Sequence, residues 1–123
     1  DGQSVSMASY RAHTQDYIRV ARILLDAAEP LAAQPAPAGQ DLLLVQRARD
    51  VAQYLIELYL RFPPDRETGL ALRRYDEMLC QTYPHIAAMM TNKNTRLLRA
   101  GRYLPYRTLS AWARGKQSNG GIL

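Results

Sequence analysis

Residues 41–62 read DLLLVQRARDVAQYLIELYLRF, and this stretch decides the fold. Its apolar residues recur every three or four positions, which is the period of an α-helix with one buried face. Asp41 suits the cap or first turn of such a helix, and Pro63 and Pro64 end it. The main apolar face comprises Leu44, Ala48, Val51, Leu55, Leu58, Tyr59 and Phe62.

Further apolar residues widen that face, so this helix is predicted to be the central one. They are Leu42, Leu43, Val45, Ala52, Tyr54 and Ile56. A helix that is apolar over more than half its circumference must lie inside a bundle or bury its extra surface against another chain. A homodimer therefore follows as a hypothesis.

The segments on either side of the central stretch also predict helices. Before it, a helical stripe predicts a helix over residues 10–28, and the proline-rich residues 30–39 predict a loop. After it, Asp65 is placed to cap a helix over residues 66–83, which Pro84 ends. The first of these helices is expected to pack through Tyr10, Tyr17, Ile18, Ala21, Leu24, Leu25 and Ala28. The second is expected to pack through Leu70, Leu72, Tyr75, Met78 and Leu79.

The end of the chain predicts two short helices after the apolar piece 86–90. One covers residues 94–100 and the other 105–114, with Pro105 at the start and Gly115 in the left-handed conformation after the end. The predicted fold class is therefore all-α: one domain, residues 1–123, with three longer helices plus two short C-terminal helices. Its parts are a helical core (7–90), a basic segment (91–117) and a frayed tail (118–123).

Composition argues against several classes of protein. Cys80 is the only cysteine, which excludes an intramolecular disulfide and the cysteine-based zinc sites and suggests a reducing, cytoplasmic setting. Since Cys80 adjoins Met78 and Leu79, we expect it to be a buried small hydrophobe. No segment approaches the roughly 18 to 20 apolar residues of a membrane span. His13 and His85 are far apart and no glycine-rich phosphate loop occurs, so no enzyme, catalytic residue, cofactor or metal site is predicted.

Charge divides the chain into two unlike parts. Residues 1–90 carry 9 Lys or Arg against 11 Asp or Glu, a net charge of −2. Residues 91–123 carry 7 against 0, a net charge of +7. Because nucleic-acid affinity depends largely on Lys and Arg that neutralise phosphates, the second part is the candidate nucleic-acid surface. The excess of Arg over Lys, with abundant Ala and Leu, suggests a bacterial, phage or plasmid source.

One run within the basic segment resembles a known family. Residues 107–116 read RTLSAWARGK. This run resembles the recognition-helix end of bacterial and phage helix-turn-helix regulators, in which a Thr-hydrophobic-Ser-x-Trp run is closed by Gly-Lys. The similarity covers residues 95–116. It departs from the family at Arg99 and Tyr103, where regulators usually have Ala and Gly, and its glycine comes two residues early, at Gly101.

The resemblance implies a role for each residue at the matching positions. Packing residues would be Leu98, Leu104, Leu109 and Trp112, and the residues facing DNA would be Arg107, Thr108, Ser110 and Ala111. With the charge pattern, this predicts that Arg107, Ser110 and Arg114 approach bases. Phosphates of double-stranded DNA would be held by Lys93, Arg96, Arg99, Arg102 and Lys116. The predicted function is a small DNA-binding protein, a transcriptional, plasmid or phage regulator.

Two other interpretations fit the same residues. In the first, the basic end of the chain is simply an amphipathic terminal helix with a solvated charged face and a buried Trp112. A non-enzymatic helical module that grips a protein partner, such as an adaptor, immunity or inhibitor protein, is the alternative function. A DNA binder should lose affinity steeply with salt, whereas an adaptor should not.

Overall fold

The computed structural model describes the backbone of residues 2–122 and the side chains of residues 12–115. Within this part of the chain there are six α-helices and no strands, which confirms the all-α class. The helices are α1 (Gly2–Ala32), α2 (Gly39–Arg61), α3 (Arg66–Thr82), α4 (Pro84–Ala88), α5 (Lys93–Ala100) and α6 (Tyr106–Ile122).

Helix α2 is the centre of the bundle, as its wide apolar face predicts. It contacts all five other helices. Seven of its side chains are buried: Val45, Ala48, Ala52, Leu55, Ile56, Tyr59 and Leu60. Because each large side chain removed from water contributes about 1.5–3 kcal/mol, this helix supplies much of the stability.

Specific polar contacts fix the helices around α2. The Asp65 carboxylate accepts a hydrogen bond from the Thr68 amide at 2.7 Å, which confirms the predicted cap of α3. Glu29 of α1 accepts hydrogen bonds from the amides of His85 and Ile86 at the start of α4. The Tyr83 hydroxyl donates to Asp26 at 2.6 Å, again joining α1 to the end of α3.

Three predicted helix boundaries are wrong, and the first is the start of α1, which lies at Gly2 rather than at residue 10. Helix α1 continues through Pro30 to Ala32, since a proline in the last turn removes only one helical hydrogen bond while Leu31 and Ala32 pack against the core. Helix α6 does not end at Gly115, whose backbone is not left-handed, but runs to Ile122. The predicted tail, 118–123, is therefore helical up to Ile122, and its last residue lies outside the described residues.

Three predictions of burial are also wrong. Tyr17 and Leu70 lie at the edges of their apolar stripes, and both are exposed because no neighbouring helix covers that edge. Cys80 is exposed as well. Partial burial of the sulfur, together with the charge of Asp76, nevertheless raises the pKa of the Cys80 thiol.

The helical backbone at Gly115 can be tested by substituting alanine. A Cβ added at Gly115 or at Gly39 would meet nothing within 4 Å, but Gly39 is left-handed, with φ 60°. We expect Gly115→Ala to stabilise the protein by up to about 1 kcal/mol because alanine favours a helix. Gly39→Ala, the matched control, should destabilise it by roughly 1–2 kcal/mol. Urea denaturation measures both, and a loss of stability in Gly115→Ala would contradict the helical backbone there.

Candidate nucleic-acid interface

Helix α5 is held against α2 by side-chain hydrogen bonds. Its N-terminal cap is Asn92, whose side chain accepts a hydrogen bond from the Asn94 amide. The Thr95 hydroxyl donates to the Gln53 side chain at 2.9 Å, and the side-chain NH2 group of Asn94 donates to the Glu57 carboxylate. With Thr95 and Leu98 buried, the outer face of α5 presents Lys93 and Arg96 to solvent.

Arg99 belongs to the interior, and its predicted phosphate contact is wrong. Its guanidinium group donates twice to the Asp76 carboxylate, at 2.7 and 3.0 Å, and once to the Ala87 carbonyl at 2.8 Å. Asp76 is only 1% exposed and Arg99 24%. Burial alone would lower the pKa of Arg99, but the hydrogen bonds to Asp76 and its charge outweigh that effect and raise it. The ion pair leaves no free charge for a phosphate.

The turn between α5 and α6 has an uncommon backbone. Arg102 and Tyr103 are both left-handed, with φ of 51° and 67°. Such angles disfavour residues with a Cβ, so other contacts must hold them. The Tyr103 hydroxyl donates to Asp76 at 2.7 Å, and the Tyr103 amide donates to the Leu98 carbonyl at 2.7 Å. Glycine is needed at position 101 because the Pro105 ring packs closely against its backbone: an added Cβ would lie 2.7 Å from Pro105 Cδ.

Ser110 is an anchor of α6, and its predicted contact with bases is wrong. The side chain is fully buried, and its hydroxyl donates to the carbonyl of Leu60 at 2.8 Å. That carbonyl lies at the end of α2, where backbone acceptors lack helical partners. Tyr106 and Leu109 are buried on the same side of α6, so the predicted packing role of Leu109 is confirmed.

Two predicted packing residues of this segment lie at the surface. Leu104 is 88% exposed and Trp112 is 57% exposed, so neither has its predicted inward position. The burial of Ser110 accounts for Trp112, because residues two apart on a helix face directions about 200° apart. Leu98, the remaining packing residue, is buried as predicted.

The solvent-facing side of α5, the turn and α6 is rich in cations. Five predicted nucleic-acid residues are exposed: Lys93, Arg96, Arg102, Arg107 and Arg114. None of the five pairs with a carboxylate within residues 12–115. Arg107, Ala111 and Arg114 share one face of α6, with Thr108 beside them. The side chain of Lys116 lies outside the described residues.

An open groove adds residues that the sequence pattern does not select. It measures about 660 Å³ and lies between α2, the start of α5 and α6. Trp112, Lys93 and Arg61 line it, together with Glu57, which already accepts from Asn94. Arg61 ends the central helix and is distant in sequence from the basic segment, so only the packing of α2 against α6 indicates its place here.

Other kinds of site find little support in the part of the chain that the structure describes. No helix there is long and apolar enough to cross a bilayer. No three His, Cys, Asp or Glu residues in the same part come together as metal ligands. No protein-family model, curated protein sequence or solved structure matches the chain.

Proposed function

We propose that this protein binds double-stranded DNA through the outer side of α5, the turn and α6. The observation that carries the proposal is the set of five exposed cations without carboxylate partners in residues 12–115. Phosphate neutralisation by Lys and Arg supplies most sequence-independent affinity for DNA. In this proposal the protein is a regulator of transcription, or of a plasmid or phage, working in a bacterial cytoplasm.

The exposed residues divide by position into two roles. Arg107 and Arg114 lie on one face of a helix, and such a face fits the major groove, where Arg pairs with guanine edges. Lys93, Arg96 and Arg102 lie on α5 and the turn, so they contact phosphates. Arg61 faces the same groove as Trp112 and extends the phosphate surface.

The local backbone also supports the helix-turn-helix interpretation of this segment. Helices α5 and α6 are joined by the five residues 101–105, and the second helix exposes Arg107 and Arg114. Tyr103 stands where the family usually has glycine, and its backbone has the left-handed φ that glycine adopts easily.

The test is fluorescence anisotropy of labelled duplex DNA over a salt series. The intact protein should bind at low salt, and log affinity should fall linearly with log salt concentration. In Lys93→Ala/Arg96→Ala, which removes two of the proposed phosphate contacts, the steepness of that fall should decrease by about 1.8, since each phosphate contact contributes about 0.9. Affinity at low salt should fall by at least tenfold, about 1.4 kcal/mol.

The control removes the same charge from another surface. Arg19→Ala/Arg74→Ala takes two exposed arginines from α1 and α3 and should change the steepness little. Equal losses in the two double variants would show that net charge alone drives binding, which contradicts a specific surface. Absence of binding at low salt would reject DNA as the partner and favour a protein-binding module.

A further inference from the structure

One face of α2 remains open to solvent although α2 is the central helix. Leu43 is 65% exposed and Tyr54 is 51% exposed, and both are large apolar side chains. Arg47 and Asp50 lie between them and are also exposed. The four residues follow each other at intervals of four, three and four, so they form one straight stripe along the helix. Gln46 and Val51, which are half-buried, line the same shallow depression.

This stripe is complementary to itself in reverse order. When two identical helices cross antiparallel about a two-fold axis between positions 48 and 49, each residue of the stripe faces the one whose number adds with its own to 97. Arg47 then faces Asp50 of the second copy, and Leu43 faces Tyr54. A two-fold interface requires this kind of self-complementarity, in which each contact occurs twice.

We propose that two copies of this chain form a homodimer by antiparallel pairing of this α2 stripe. Each interface holds two ion pairs between Arg47 and Asp50, bracketed by two contacts between Leu43 and Tyr54. The proposal does not depend on DNA binding, because it uses none of the cations of α5 and α6.

The charges on the stripe are available for such a contact. Arg47 has no carboxylate partner within residues 12–115. Among the same residues, Asp50 pairs only with its neighbour Arg49 at 3.2 Å, an exposed contact of the kind that contributes little. From Leu43 to Tyr54 the stripe is about 16 Å long. A single helix face of that length is a small interface, so the dimer is weak and forms at micromolar or higher concentration.

Sedimentation velocity over a range of protein concentrations tests the pairing. The intact chain should shift from monomer to dimer as concentration rises. Arg47→Asp places an aspartate opposite Asp50 twice, and Asp50→Arg places an arginine opposite Arg47 twice. Each variant alone should raise the dimer dissociation constant at least about tenfold, since like charges facing each other oppose association.

Mixing the two variants provides the decisive measurement. In a mixed dimer, the aspartate introduced at position 47 of one chain faces the arginine introduced at position 50 of the other. The unchanged Asp50 of the first chain faces the unchanged Arg47 of the second. The mixture should therefore dimerise as well as the intact protein, although each variant alone stays monomeric. Only an interface in which position 47 meets position 50 restores association in this way.

The control is Arg19→Asp, a charge reversal on the exposed side of α1 that should leave the dimer unchanged. Circular dichroism of all variants shows whether the fold is retained, and exposed positions such as these should retain it. An intact chain that stays monomeric at about 100 μM, which is well above a micromolar dissociation constant, overturns the proposal. A dimer that survives both single reversals, or a mixture that fails to associate, overturns it too.

Discussion

Asp76→Asn is expected to destabilise the folded protein by about 3–5 kcal/mol, although it removes only one charge. Asp76 is nearly inaccessible, and its carboxylate accepts hydrogen bonds from both Arg99 and Tyr103. The substitution leaves the Arg99 guanidinium in the interior without a counter-ion. Asparagine has one acceptor oxygen where aspartate has two, so it cannot accept from both Arg99 and Tyr103 as Asp76 does. Urea denaturation at neutral pH measures the loss.

The neighbouring residue provides the control for this prediction. Glu77 pairs with Arg73 on the exposed side of α3, so Glu77→Gln should cost less than about 1 kcal/mol. Arg99→Ala distinguishes the structural role from the phosphate role that the sequence suggests. It should lower stability by several kcal/mol, as breaking a buried pair does. An Arg99→Ala protein of unchanged stability that binds DNA more weakly would contradict the structural role.

The helices were largely predictable because their signals are local. The apolar period of α2, the prolines at 63 and 64 and the Asp65 cap act within a few residues of each other, so the sequence contains the whole cause. Helix ends were less predictable where two weak preferences compete. Pro30 and Gly115 both favour termination, but a helix continues through each of them.

The candidate site was predictable only in part, because residue type does not reveal tertiary partners. Arg99 and Arg96 are both arginines of one short helix, yet only Arg99 meets a buried carboxylate, 23 residues away in sequence. Ser110 has a hydroxyl group of the kind that contacts DNA, but this hydroxyl donates its hydrogen bond to the carbonyl of Leu60, 50 residues earlier. Trp112 is apolar enough for a core, and the burial of Ser110 turns it outward. Charge asymmetry indicates which segment is rich in cations, but it does not show which of its side chains remain exposed.

A functional consequence follows from the position of Asp76. The same carboxylate fixes the end of α5, through Arg99, and the turn before α6, through Tyr103. Ser110 fixes α6 itself to the end of α2. The exposed cations therefore lie on elements whose relative positions are set by buried contacts rather than by the cations themselves. In the proposed complex with DNA, a rigid array of this kind would not have to order its surface first, which would lower the entropic cost of association.

The largest effect of pH is expected in alkali, where the folded protein should lose stability steeply above about pH 10. Burial raises the pKa of five tyrosines: Tyr59, Tyr75, Tyr83, Tyr103 and Tyr106. The unfolded chain gives up these protons at its ordinary pKa, whereas the folded chain keeps them, so rising pH favours unfolding. Each buried tyrosine lowers stability by up to about 1.4 kcal/mol per pH unit.

Few other groups obscure this titration. Only 2 of the 16 basic residues are lysines, and arginine keeps its charge throughout the range. Urea midpoints at increasing pH measure the loss of stability, and ultraviolet absorbance of tyrosinate should show these five tyrosines ionising together with unfolding. Ionisation of all five while circular dichroism stays native would contradict the prediction.

Tyr75→Phe is the matched variant for the alkaline prediction. The Tyr75 hydroxyl donates to the Ala52 carbonyl at 2.9 Å inside the core. Losing that bond should lower stability at neutral pH by about 1 kcal/mol. Above pH 10 the variant should lose stability about one-fifth less steeply, because one of five linked protons is gone. The substitution should thus lower stability at neutral pH but make the loss of stability in alkali less steep. A general weakening of the fold would instead lower stability equally at every pH, so the two measurements together identify the contribution of tyrosine ionisation.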